Sequence, residues 1–137
     1  MVPPLELAFI ATISVSEVQE IGITPRDKRR IISITGGTFD GPVLKGPVES
    51  DGADWQLIRD GNVVELEARY TLRTDDGNLI YVKNRGYRHG PAEVLQRLLT
   101  GQGVDPKEYY FPTAPVFETA FEKYDYFNRY IYKKKTT

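Results

Sequence analysis

Four Asp-Gly dipeptides punctuate the middle of the chain, at Asp40-Gly41, Asp51-Gly52, Asp60-Gly61 and Asp76-Gly77, spaced 11, 9 and 16 residues apart. Asp-Gly suits the positive-φ positions of a type I′ turn, and between apolar runs it is a strong short hairpin signal. Turns at that rhythm leave room for strands and little else, which is the pattern of an antiparallel meander. Twelve Gly and nine Pro point the same way.

Strands fill the gaps. Residues 5–15 place Leu5, Leu7, Phe9, Ala11, Ile13 and Val15 on one face, and residues 30–35 form a short β-branched run. Residues 54–59 lead into the Asp60-Gly61 turn. Val64, Leu66, Ala68, Tyr70 and Leu72 alternate with Glu65, Glu67, Arg69, Thr71 and Arg73, the cleanest period-2 stretch in the chain. Residues 79–85 follow the Asp76-Gly77 turn and are expected to pair back. Aromatic-rich strands are expected over 110–121 and 126–132.

One helix is expected, near residues 91–100. Pro91 suits the first helical position, Val94, Leu95, Leu98 and Leu99 share a stripe, and Gly101 suits the residue after the end. Asp105-Pro106 marks a single-turn helix or a tight turn. The expectation is one domain over 1–137: an all-β, closed antiparallel barrel of calycin or lipocalin type. It has about eight strands and one short helix plugging an end. A sandwich is the alternative.

Composition narrows the chemistry. With no Cys, disulfides, thiolate metal sites and cysteine nucleophiles are excluded. One His beside no Cys leaves only an all-carboxylate metal site, and Asp75-Asp76-Gly77 is better explained as a turn, so no metal is expected. Eighteen basic and nineteen acidic side chains give a net charge of −1, against a nucleic-acid partner. No basic residue precedes the first apolar stretch, and the apolar runs fall well short of the ~20 residues a membrane helix needs. A cytoplasmic protein without a membrane partner is expected. The Lys133-Lys134-Lys135 run is read as a solvated tail. Phosphate-binding loops and the nucleophile elbow are missing from the sequence, so no nucleotide cofactor is expected.

Candidate site residues come from polar intruders. His89 is the only histidine, set between a strand end and a helix start; it serves either as a surface or capping residue or as a proton carrier at the barrel mouth. Tyr70 interrupts the Val64-Leu66-Ala68 face, and Asn84 the Ile80-Val82 face. A buried phenol or amide must find a partner or bind something. Asp54 adjoins the only tryptophan, Trp55; burial against that ring would make it an acid or base, while capping and core packing are the plainer roles. Glu65, Glu67, Arg69 and Arg73 form an outer face, expected to be solvated and cross-paired.

Several stretches together resemble the DUF3237 family. They are Ile34-Thr35-Gly36-Gly37-Thr38-Phe39-Asp40-Gly41-Pro42, Gly52-Ala53-Asp54-Trp55, and the run from Arg69 to Gly77 continuing through Ile80-Tyr81-Val82 to Asn84-Arg85-Gly86. Tyr110-Phe111, Pro115, Phe117-Glu118-Thr119 and Asn128 complete the pattern. The resemblance departs at Pro112, where the family usually carries arginine. It implies a calycin-like barrel with a central pocket, often oligomeric, and fungal members of chalcone-isomerase type. The implied function is a cofactor-independent isomerase or cyclase on an aromatic polyketide-type molecule, most concretely chalcone-to-flavanone cyclisation. The competing class is a non-catalytic barrel that carries a hydrophobic or aromatic ligand. Under the cyclase reading Arg85, or donors from Tyr70 and Asn84, holds the enolate oxygen, and Asp54 or His89 moves the proton. Phe39, Trp55, Tyr81 and Phe117 wall the pocket, with Asn128 nearby. A homo-oligomer is expected, because Tyr124, Tyr126, Tyr130 and Tyr132 exceed what a small barrel interior needs.

Overall fold

The computed structural model describes residues 7–60, 63–129 and 132, with Leu99 described in its backbone only. Seven strands form one antiparallel sheet: β1 (Ile10–Thr24), β2 (Asp27–Asp40), β3 (Lys45–Pro47), β4 (Ala53–Arg59), β5 (Val63–Arg73), β6 (Leu79–Arg88) and β7 (Thr113–Glu118). The order is β1-β2-β4-β5-β6-β7, with β3 folded back onto the end of β2. Among the described residues one α-helix, α1 (Ala92–Leu99), follows β6.

The turns explain the order. Asp76-Gly77 closes the β5–β6 hairpin: Gly77 takes φ +87°, and the Thr74 hydroxyl bonds both the Asp76 carboxylate and the Asn78 backbone. Hydrogen bonds from the Thr74 and Asn78 side chains hold the Asp76 carboxyl below its ordinary range. Asp40-Gly41 opens the loop that returns as β3, and Asp51-Gly52 leads into β4. The Asp60-Gly61 turn runs into residues 61–62, outside the described set. The tightest hairpin has no Asp-Gly. Thr24 and Asp27 pair across Pro25-Arg26, and the Thr24 hydroxyl accepts from the Arg26 amide and donates to the Asp27 carbonyl. Residues 10–15 and 30–35 therefore belong to one long ribbon, β1–β2, rather than to two short strands; residues 7–9 precede it and 5–6 lie outside the described set.

Three expectations change. The stretch 126–132 is not a strand where it is described: Glu122–Asn128 winds into a 3-10 helix that buries Tyr124 and Phe127. Tyr124 is buried and the partly buried Tyr126 and Tyr132 rings pack against the core, so these three are not spare surface; Tyr130 lies outside the described residues. The sheet is also not closed by hydrogen bonds, since no ladder among the described residues joins β1 to β7. Aromatic side chains bring its ends together instead. The Phe9 ring, just before β1, meets Phe39 of β2 at 5.6 Å and Phe117 of β7 at 5.7 Å, both edge-on.

The apolar core gathers at that end: Phe39, Leu44, Val48, Leu72, Ile80, Val82, Phe117, Tyr124 and Phe127 are all buried. Alternation puts Val64, Leu66, Leu72, Ile80 and Val82 inside, as period-2 strands require. Outside, Lys83 pairs with Glu67 at 3.3 Å and Arg73 with Glu49. Helix α1 begins at Ala92, one residue after Pro91, and Gly101 at φ +77° ends it by donating to the Leu98 carbonyl. Asp105 caps a 3-10 turn over Pro106–Glu108, and Glu108 holds Arg97 of α1 at 3.1 Å.

Candidate functional site

The inner face of the sheet turns polar away from the aromatic end. Register fixes which residues share it. Ile32, Asp54, Ala68, Asn84 and Pro115 lie in one transverse row, and Arg30, Gln56, Leu66, Gly86 and Thr113 in the next. Arg88, opposite Val64, lies one row further, and Tyr70, opposite Val82, borders the apolar core. The small Ala68 separates Asp54 from Asn84 in that row. At Gly86, a Cβ would stand 2.4 Å from the Pro112 carbonyl oxygen, so only glycine lets β7 approach this closely.

The belt is knitted from one side. Arg30 is only 7% exposed and donates through Nη2 to Oε1 of Gln56 at 2.7 Å; Gln56 Nε2 donates on to Asp54 Oδ2 at 2.9 Å. Burial lowers the Arg88 guanidinium pKa, and the Arg30 charge adds to that; Asp54 and Tyr109 act the other way. The Phe111 ring sits 5.7 Å beneath the same guanidinium. Burial pushes the Tyr70 phenol up to about 12, so it remains a proton donor at neutral pH. Arg30 Nε, Arg88 Nε, Asn84 Oδ1 and Thr113 Oγ1 are buried with no hydrogen-bond partner among the described residues. Buried polar atoms are ordinarily satisfied, so these four on one face make it the candidate site; Arg97 Nε on α1 is a further such atom away from it.

Asp54, Tyr70 and Asn84 are thus brought together. Other sequence candidates are placed elsewhere. Arg85 is exposed on the outer face, opposite Glu67, because strand alternation turns it away from Asn84. Trp55 also faces outward, under the Arg69 guanidinium at 4.4 Å, so it does not wall in Asp54. Tyr81 lines an outer groove of about 440 Å³ with Thr71, Leu79 and Glu118. Phe39 and Phe117 belong to the apolar core. His89 is exposed and stacks on Tyr110 at 4.7 Å, beside an open groove of about 370 Å³ that Tyr109 also lines. The Asn128 amide accepts from the Thr119 amide at 2.8 Å and donates to the Thr119 carbonyl at 2.9 Å, clasping the final 3-10 helix to the end of β7.

Sequence reading missed Arg30, Gln56 and Arg88. Parity carried the signal: counting by twos from Ile80 through Val82 and Asn84 reaches Arg88, and counting back from Ile34 and Ile32 reaches Arg30.

A curled antiparallel sheet with an aromatic floor and a buried arginine-carboxylate belt defines a β-barrel-like protein with an internal polar site. The chain belongs to the family described as "Protein of unknown function (DUF3237)", whose model matches residues 3–132. The UPF0311 protein of Rhodopseudomonas palustris (strain TIE-1) is 42% identical over 134 residues, covering 96% of this chain and 88% of the relative. A UPF0311 protein of Bradyrhizobium diazoefficiens is 44% identical with the same coverage. Among solved structures, a conserved protein of unknown function from Rhodopseudomonas palustris aligns with TM-score 0.84 at 43% identity, covering 96% of this chain and 87% of that one. A β-barrel-like protein from Acinetobacter baumannii aligns at 0.73 and 46%, covering 96% and 86%. A structure described as an enzyme from Penicillium herquei aligns at 0.68 with 22% identity, covering 93% and 78%, and shows likeness of fold alone. No helix among the described residues is long and apolar enough to cross a membrane.

Proposed function

We propose that the polar belt is the active site of a cofactor-independent isomerase or cyclase acting on a phenolic enone, with chalcone-to-flavanone cyclisation as the concrete case. The observation that carries the reading is the buried Arg30 and the half-buried Arg88, each with a buried, unpartnered Nε, on the same face as Asp54. Fixed donors in a water-poor site stabilise an oxyanion that forms during reaction, and such terms dominate many enzymes.

The steps balance without an added reagent. The Asp54 carboxylate takes the proton from the 2′-hydroxyl, and the resulting phenolate oxygen forms a bond to the enone β-carbon. The C=C pair moves to the carbonyl oxygen, and Arg88 and Arg30 hold the enolate. The Asp54 carboxyl then returns the proton to the α-carbon. Tyr70, kept protonated by burial, donates a further hydrogen bond, and Asn84 accepts one from a ring hydroxyl. In this scheme the oxyanion role falls to Arg88 rather than Arg85, and Phe111 and Tyr109 supply aromatic walls.

The same belt would serve a carrier of aromatic ligands. Incubation with a 2′-hydroxychalcone, followed at its long-wavelength absorbance, separates the two. An enzyme bleaches many equivalents, whereas a carrier shifts the spectrum in proportion to protein. No decay beyond one equivalent rejects the cyclase.

A further inference from the structure

The belt holds two guanidiniums and one carboxylate among the described residues of its face, a surplus of one positive charge. Glu20, opposite Arg30 across β1–β2, and Lys28, two residues before Arg30, are solvent-exposed, and together they add no net charge to the face. A buried cation without a counter-charge is costly, because desolvation is repaid only by pairing. Gln56 gives Arg30 an acceptor but no charge.

The orphaned atoms specify the missing partner. Arg30 Nε and Arg88 Nε each offer a donor without an acceptor, and Asn84 Oδ1 and Thr113 Oγ1 each offer an acceptor without a donor. From these groups we infer that the resident ligand of the belt is a phenolic carboxylate, its carboxylate held by Arg30 and Arg88 and its hydroxyl donated to Asn84. The planar guanidinium matches a carboxylate through parallel N–H donors. One surplus charge balances a monoanion and falls short of a phosphate dianion. Phe111 under Arg88 and the partly buried Tyr70 ring give the aromatic body its surroundings. The chain as a whole carries −1, so its overall charge does not attract anions, and binding must come from the belt. The inference rests on the belt being the ligand site, as proposed above, and not on cyclisation itself.

Calorimetric titration of the full chain with 4-hydroxycinnamate, its methyl ester and inorganic phosphate tests it. The acid should bind one to one and roughly ten- to a hundredfold tighter than the ester, the range a charge-assisted hydrogen bond supplies. Phosphate should bind more weakly than the acid. Arg88→Gln should erase the preference for acid over ester while circular dichroism stays unchanged. Arg30→Lys, which keeps the buried charge but loses the fork, should reduce the preference without erasing it. Equal binding of acid and ester, no binding of either, or an acid preference that survives Arg88→Gln overturns the inference. If a 2′-hydroxychalcone is turned over while the acid fails to bind, this inference falls and the cyclase stands. If the acid binds and no chalcone is consumed, the cyclase falls and the carboxylate site stands.

Discussion

Arg30 and Gln56 form a buried side-chain pair across β2 and β4, Nη2 to Oε1 at 2.7 Å, with exposures of 7% and 3%. Replacing Gln56 with leucine keeps the volume roughly constant and strips a buried guanidinium of its acceptor. Gln56→Leu should lower stability by about 1.5–3 kcal/mol, the scale of a hydrogen bond to a charged group. Urea unfolding checks this. A loss below about 0.5 kcal/mol, the noise of ordinary surface changes, would mean that water replaces the amide.

Arg85 and Arg88 face opposite sides of β6, so their alanine variants should behave differently in the chalcone assay. Arg88→Ala should lower the maximal rate by roughly a hundredfold or more, as when one oxyanion donor is lost. Arg85→Ala should leave it near wild type. Steady-state kinetics giving the reverse order would move the site to the outer face.

The Tyr70 phenol rises from 10.0 to about 12. In the pH interval between those values the unfolded chain has lost this proton and the folded chain keeps it. Stability is therefore unaffected by Tyr70 below about pH 10 and falls as pH climbs from there, by roughly 2–3 kcal/mol in full. Tyr126 is shifted in the same direction. Urea midpoints compared at about pH 9 and pH 11 should show the decline in wild type and a shallower one in Tyr70→Phe. Parallel declines would place the sensitivity elsewhere.

Asn128→Ala removes the clasp between the final 3-10 helix and Thr119. It should cost about 1–2 kcal/mol, as loss of a capping side chain does, with little change in turnover. Retained stability with lost activity would return Asn128 to the list of substrate contacts.

Assembly has a different basis from the late tyrosines. β1 is an edge strand with Val15, Ile21 and Ile23 at least half exposed, Ile23 at 89%. Such edges invite pairing. We expect a homo-oligomer joined through the β1–β2 ribbon. Sedimentation should give a mass above 15.6 kDa that falls toward it in Ile21→Lys. A wild-type monomer at micromolar concentration would remove the prediction.

How much the sequence disclosed follows from the physics of each element. The β5–β6 hairpin was legible residue by residue, because Asp76-Gly77 fixes the turn and alternation over 64–73 fixes both faces. Helix α1 was legible from Pro91, its apolar stripe and Gly101. The β1–β2 ribbon was not, since its Pro25-Arg26 turn lacks a positive-φ glycine and bulges interrupt its alternation, with register shifts near Val15 and Gly22. The last segment failed for another reason: aromatic density over 126–132 signals burial, and burial serves a 3-10 helix as well as a strand. In the site, Tyr70 and Asn84 stood out as polar residues on apolar faces. Arg88 did not, because Gly86 interrupts the face between it and Asn84.

The Phe9 bridge also decides how the two edges of the sheet can part. Its two ends are fastened by three rings, not by a backbone ladder. Ring contacts slide and re-form, while ladders must be broken in register. The sheet is therefore sealed at its apolar end by side-chain packing: parting that packing separates the two edges while every strand stays bonded to its neighbour.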